Sequence, residues 1–345
     1  MTKLENISKL SQKEKEFLSA FSVLPENPID INTIFELFAV DEENKIDFFD
    51  LIHDFSIKKI FEYKENHYFF KPEYKRLIIT ELQPTSENCS ILIKTLTEKF
   101  FLPSRSKLED LKKYIPYAES VINSITNSSN NLAVLANNFA SFYENIGENH
   151  LSIKYIQKAI QIQEDIDIED NEISFYYNNL AVLYTKIGSY DQSLSIGFES
   201  IRHLNNLSSK NYVTLANSYN IISTAYDKKK NYKQALNYSL KAIEIAEDNF
   251  RDKSILLAGY YHDIAITFFN LRNYQTARYY IEKAISNYSK KVKTEDSFMK
   301  RMLTYKNIFN MYYKLEKFVK KFIKYFLVAL GASAISLMFY FIFIK

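Results

Sequence analysis

The side chains in this 345-residue chain that could carry chemistry are few and scattered. Five histidines, His53, His67, His150, His203 and His262, form no HExxH motif and have no metal-type partner at helical spacing. The five glycines, Gly147, Gly188, Gly197, Gly259 and Gly331, lie too far apart to let clustered backbone N–H groups cradle a phosphate. This excludes nucleotide hydrolysis by a P-loop or a dinucleotide turn. A serine nucleophile elbow also needs local glycine and has none. Cys89 is the only cysteine, so neither an internal disulfide nor a thiolate metal cluster can form; it reads as a small buried residue in a reducing compartment. The expectation is a non-enzymatic protein without metal or cofactor.

What remains is hydrogen-bonding chemistry. Asparagines recur as Asn137/Asn138, Asn178/Asn179, and Asn217 with Asn220. A carboxamide donates and accepts at once, matching the N–H and C=O groups of a peptide backbone. Asparagine is a poor helix former, so a pair inside a helix costs roughly 0.5–1 kcal/mol. His262 and Asp263 hold the equivalent place in a fourth segment, and Asp227 lies further along the third. The competing reading is compositional, because the chain carries thirty asparagines in all.

The elements that must position these residues are helices. Six prolines and five glycines are few for a β-sandwich or barrel. Four segments align on a helix–turn–helix frame: LANNFASFYENIGENHLSIKYIQKAI, YYNNLAVLYTKIGSYDQSLSIGFESI, SYNIISTAYDKKKNYKQALNYSLKAI and YHDIAITFFNLRNYQTARYYIEKAI. Their turn residues, Gly147, Gly188, Lys230 and Arg272, are 41, 42 and 42 residues apart. First helices carry a large apolar, a small and an aromatic residue in phase, as in Phe139/Ala140/Tyr143 and Ile264/Ala265/Phe268. Second helices carry small residues at Ser152, Ser193, Ala235 and Ala277, and again at Ala159, Ser200, Ala242 and Ala284. Small residues permit close helix approach, and large ones fill the gap to the next pair.

These residues resemble tetratricopeptide repeats of a long, roughly 42-residue type, over residues 131–317, with a fifth, less regular unit from about Thr294. The resemblance departs from the family where the first-helix Trp is replaced by Tyr or Ala, and where Gly197 stands in place of a bulky residue. It implies an α-solenoid. In similar proteins, the positions of Asn137, Asn138, Asn178, Asn179, Asn217, Asn220, Asp227, His262 and Asp263 face a groove that takes a protein or peptide partner.

The first 82 residues read differently. Helices are expected at 11–24, 31–39 and 45–55, then a hairpin around a Lys-Glu-Asn turn, then a closing helix at 73–82 behind Pro72. LSQKEKEFLSAFSVLPENPIDINTIFELF and DLIHDFSIKKIFEYKENHYFFKPEYKRLI resemble the winged-helix domain of STAND signalling ATPases, here without the ATPase. The resemblance implies that Lys71 stands in place of the family's phosphate-sensing His. A helical connector fills 83–130. DNA binding is disfavoured: residues 31–55 hold seven acids and Lys45 alone, so the recognition helix bears Asp47, Asp50 and Asp54. No nucleic-acid partner is expected.

Net charge is +3 overall, but residues 288–324 carry +8. Residues 325–344 are uncharged and long enough for a bilayer, so a C-terminal transmembrane helix within an anchor at 318–345 is expected. Lys314, Lys317, Lys320, Lys321 and Lys324 flank it and would hold the bulk of the chain in the cytoplasm. The small residues Ala329, Ala332, Ser333 and Ser336 suggest a weak homodimer through that helix. The resulting expectation is a mostly α protein: winged helix, connector, repeat solenoid, membrane anchor. Its function would be that of a membrane-tethered adaptor. The alternative is a regulatory subunit of a STAND-like system, docking on a separate ATPase or effector.

Overall fold

A computed structural model describes residue 7 and residues 9–101, 108–166, 172–250, 254–292 and 296–343; side chains are described as far as 330, except at 254. The chain forms two compact units, Met1–Leu183 and Tyr184–Lys345.

The first unit begins with α1 (Gln12–Ser22), which starts where Ser11 and Glu14 form a reciprocal capping box. Lys58 donates to Glu14 at 2.7 Å, and that bond holds the carboxyl down at about 2. Asp30 caps α2 (Ile31–Leu37) by accepting from the Thr33 amide at 3.0 Å. Next come α3 (Lys45–Ile57), β2 (Phe61–Lys64), β3 (His67–Phe70) and α4 (Pro72–Leu82). A two-residue strand, β1 (Ile29–Asp30), pairs with β3, giving an antiparallel sheet in the order β1-β3-β2. The turn between β2 and β3 places Glu65 and Asn66 at φ of 52° and 65°, the left-handed pair a tight hairpin requires. Phe17, Phe21, Phe38, Phe55, Phe61 and Phe70 close the core, with Phe17 and Phe55 stacked at 5.6 Å.

Behind this lie α5 (Ser90–Phe100), α6 (Leu108–Leu111) and α7 (Ile115–Ser124), then the first helix pair, α8 (Asn130–Asn145) and α9 (Asn149–Glu164). Helix α5 packs on α8 through Phe100, which meets Phe139 edge-on at 4.9 Å. Glu119 of α7 accepts from Tyr143 and Tyr155 and so ties both helices of the pair to the connector. Helix α10 (Glu172–Lys186) starts in this unit and ends in the next.

The second unit holds α11 (Tyr190–Asn206), α12 (Tyr212–Lys228), α13 (Tyr232–Asn249), α14 (Ser254–Asn270), α15 (Tyr274–Tyr288) and α16 (Ser297–Phe343). All eight small residues expected on the second helices are fully buried, as are Ala140, Ala181 and Ala265 on first helices. Gly197 has a physical reason: a Cβ there would lie 2.8 Å from Ile222 Cγ1, so α11 and α12 approach through the missing side chain. The four turn residues share one conformation, with φ of 90° and 85° at Gly147 and Gly188, and 61° and 60° at Lys230 and Arg272.

Helix α16 is one uninterrupted 47-residue helix. Asp296 caps it by accepting from the amides of Phe298 and Met299, which lowers its carboxyl pKa. Met299, Met302 and Phe309 are buried against the preceding pair. The expected membrane anchor is corrected here. No helix among the described residues is long and apolar enough to cross a membrane, so neither a transmembrane helix at 325–344 nor a single-pass membrane placement is supported. Lys314, Lys317, Lys320, Lys321 and Lys324 lie on this same helix, and their charges keep its course up to residue 324 out of any apolar span. A homodimer through that helix loses its premise as well. Of its contact residues, Ala332, Ser333 and Ser336 lie where side chains are not described.

Candidate functional site

The asparagines lie on first helices, and the structure reveals partners for them one repeat away. In the first unit, Asn179 on α10 donates to Asn137 Oδ1 on α8 at 2.9 Å, while Asn138 donates to the Thr97 carbonyl in the last turn of α5 at 3.2 Å. That carbonyl would otherwise be an orphan of the helix end. Asn137, Asn138 and Asn178 are buried. These residues join neighbouring helices 41 and 42 positions apart.

The second unit has the richer cluster, between α12 and α14. Tyr260 donates to Asn217 Oδ1 at 2.6 Å, Asn220 donates to Asp263 Oδ2 at 2.9 Å, and Asn270 donates to both oxygens of Asp227 at 3.2 Å. Each link spans 43 residues, one more than the 42 that separate equivalent positions of these two first helices. His262 Nδ1 shares a hydrogen bond with Asp263 Oδ1 at 2.9 Å, and its ring sits 5.2 Å from Phe298 and 5.4 Å from Tyr305 of α16.

Satisfaction is incomplete in this cluster. Asn220 Oδ1 and His262 Nε2 are buried and have no hydrogen-bond partner among the described residues. Burial raises the Asp227 carboxyl, helped by the charge of Asp263 and opposed by hydrogen bonds from Asn270 and Thr267. Burial also raises the Tyr260 hydroxyl, again beside Asp263. A buried acceptor without a donor costs about 1–3 kcal/mol, and a carboxylate held in such surroundings is less stable than in water.

Sequence reading located Asn217, Asn220, Asp227, His262 and Asp263, which the structure brings together across α12 and α14. It missed Tyr260, Thr267 and Asn270. The signal that finds Tyr260 and Asn270 is the repeat spacing plus one residue, since 43 residues separate them from Asn217 and Asp227. Lys314, Lys317, Lys320, Lys321 and Lys324 belong to none of this; they stand exposed on α16. Cys89 is buried just before α5, where desolvation and the charge of Glu87 push its thiol up to about 12. Among the described residues, no group of three or more His, Cys, Asp or Glu side chains could hold a metal ion.

Two segments of the chain match the tetratricopeptide repeat family, residues 133–166 and 214–290. They coincide with the α8/α9 pair and with the stretch from α12 to α15. No curated protein matches the chain. Among solved structures, a Rap protein complexed with competence and sporulation factor is 16% identical, with a TM-score of 0.49, covering 76% of this chain and 70% of its own. BtubC from P. vanneervenii is 15% identical, with a TM-score of 0.48, over 63% of this chain and 84% of its own. A putative kinesin light chain from Podosopora anserina, with nearly identical TPR-like repeats, is 15% identical, with a TM-score of 0.45, over 59% and 97%.

Proposed function

We propose that this protein is a non-enzymatic adaptor whose first helices take an extended segment of a protein partner, with the α12–α14 cluster as the main contact. The observation that carries the reading is the pair of buried, unpartnered atoms, Asn220 Oδ1 and His262 Nε2, beside an Asp227 that burial disfavours. Such an arrangement lowers stability in the free protein, and it is relieved when neighbouring side chains shift to admit a peptide N–H to Asn220 or to Asp227. Asn137, Asn138, Asn178 and Asn179 would form a corresponding set on α8 and α10.

A photo-crosslinking residue placed at 220 should capture a defined partner segment, and one at the outer position Lys241 should not. The captured segment, made as a synthetic peptide, should bind Asp227→Asn and Asn220→Ala proteins at least ten-fold more weakly, about 1.4 kcal/mol. Equal capture at 220 and 241, or unchanged affinity in both variants, would remove the groove from the reading.

A second reading rests on the N-terminal elements, the helices α1 to α4 and the β1-β3-β2 sheet. In that reading residues 1–82 form a winged-helix module that docks on a separate ATPase or effector, residues 83–130 connect it to the repeats, and the repeats at 131–317 recruit a partner to it. Lys71 stands at the N-cap of α4, ahead of the Pro72 that opens the helix. Co-purification of a separate ATPase with the full chain, lost on deletion of residues 1–82, is the outcome that supports it.

A further inference from the structure

Two helices of this protein carry apolar stripes turned toward solvent, and their charges are opposite. On α3, Ile46, Phe49 and Ile57 are 40–74% exposed, and His53 continues the line by stacking on Phe49 at 6.1 Å. Exposed Asp47, Asp50 and Asp54 run beside them. On α16, on the side away from Tyr312 and Tyr313, which still meet α15, Met311, Leu315, Phe318 and Phe322 are 54–67% exposed. Exposed Lys314, Lys317 and Lys321 run beside those, with Lys320 and Lys324 behind.

The two stripes correspond in detail. Each spans eleven residues from first to last apolar side chain, about 17 Å of helix. The acids are spaced i, i+3, i+7, and so are the lysines Lys314, Lys317 and Lys321. Met311, Leu315, Phe318 and Phe322 follow the 4-3-4 spacing of a coiled-coil seam, and Ile46, Phe49 and His53 follow 3-4. The acids stand one residue after positions in their stripe, whereas the lysines stand one residue before positions in theirs. In a parallel helix pair the e flank of one helix meets the g flank of the other; Asp50 takes an e position and Lys314 and Lys321 take g positions, while Asp47, Asp54 and Lys317 lie further out on the same flanks. In a parallel pair of α16 copies the lysine flank would instead meet Tyr312, Glu316, Val319 and Ile323, and that single acid is already engaged by Lys320 at 2.5 Å.

We infer that the exposed face of α16 docks on the α3 face of a second copy of this chain, as a parallel helix pair with lysines against aspartates. The occupant follows from charge and spacing: the acid flank of one stripe meets the lysine flank of the other, a pairing neither stripe offers to itself. The contact uses none of the groove residues and no residue beyond Lys324, so it stands apart from the adaptor reading. Pairing α3 with α3, or α16 with α16, brings together two surfaces of like net charge without that match.

The test is a charge exchange in the full chain. The first variant is Asp47→Lys/Asp50→Lys/Asp54→Lys and the second is Lys314→Glu/Lys317→Glu/Lys321→Glu. Mass is measured by sedimentation from about 1 to 100 μM, the range in which a modest helix interface should respond. Circular dichroism and melting confirm that each variant is folded. The unaltered chain should associate reversibly and lose at least ten-fold in affinity between low and high salt. Each variant alone should stay monomeric, and an equimolar mixture of the two should associate again, because every docking pair in the mixture is complementary. A monomeric unaltered chain overturns the inference, as does association that ignores salt. Self-association of the α3 variant at unaltered strength would assign the contact to α16 alone and also overturn it. Failure of the mixture to recover, with both variants folded, has the same force.

Discussion

Replacing Asn220 by Ala isolates one rung of the ladder and lets its magnitude be worked out. Asn220 Nδ2 donates to Asp263 Oδ2 at 2.9 Å, and a hydrogen bond to a charged acceptor contributes about 1.5–3 kcal/mol. Alanine returns about 0.5 kcal/mol in helix propensity and removes the unpartnered Oδ1, itself a liability of about 1 kcal/mol or more. The net change should therefore be small, about 0–1.5 kcal/mol of lost stability. The same substitution in an Asp263→Ala background has no carboxylate to strand, so there it should stabilise by about 1 kcal/mol. The coupling between the two positions, about 1–2.5 kcal/mol, is the quantity predicted. Urea denaturation followed by circular dichroism reads it, with Asn217→Ala and Tyr260→Phe as a second cycle on the neighbouring rung. Repeat arrays do not always unfold in one step, so the cycle compares transitions with matched slopes. A coupling below about 0.3 kcal/mol in both cycles would show that the inter-repeat bonds are incidental, and that asparagine serves these positions for another reason.

Further outcomes follow from single sites. Asp227→Asn should raise the melting temperature at pH 7 while weakening partner binding. Because the folded carboxyl is raised, the stability associated with its protonated form is complete below the unfolded value near 3.8 and is lost as pH rises through the folded value; the gain on substitution should therefore vanish by about pH 3 in a melting series. Gly197→Ala should lower the melting temperature, since overpacking against Ile222 costs about 1–3 kcal/mol against about 1 kcal/mol of helix propensity. Combined with Ile222→Ala, the same change should become neutral or stabilising. Lys230→Gly and Arg272→Gly should each stabilise by about 0.5–1 kcal/mol by relieving left-handed backbone, whereas Gly147→Ala should cost a similar amount, all read by denaturant midpoints.

Local patterns were legible in the sequence where the responsible physics is local. Gly147, Gly188, Lys230 and Arg272 were placed as equivalent turns from spacing alone, and all four take the left-handed conformation. Small residues at Ser152, Ala159 and their counterparts mark close helix contacts because bulk is excluded there whatever the neighbour. Strand β1 escaped notice because two residues, Ile29 and Asp30, carry no periodicity; only pairing with Tyr68 and His67, far along the chain, makes them a strand. Uncharged composition after Lys324 suggested a membrane span that the described helices do not support. Hydropathy reports what a segment lacks, and it does not report what a 47-residue helix does with the lysines along its length.

The asparagine positions were legible, but their engagement was not, and the difference bears on mechanism. A residue chosen to hold two helices together should satisfy all of its polar atoms, as Ser223 does by donating to the Ala235 carbonyl at 2.8 Å while meeting Ser239 at 2.6 Å. Asn220 satisfies its donor and leaves its acceptor buried and empty, and His262 bonds through one ring nitrogen and leaves the other. Apolar packing alone would favour Ala or Leu at these sites, which form helix better and strand nothing. Full hydrogen bonding would favour the serine solution used elsewhere in the same helices. The half-satisfied arrangement is the least stable of the three in the free protein, and in the proposed adaptor it is the one that a partner's donor would complete once the cluster opens. A partner backbone supplies such donors at the spacing of a chain. The inter-repeat bonds hold the side chains in place beforehand, so that the ordering cost is met in folding and not in binding.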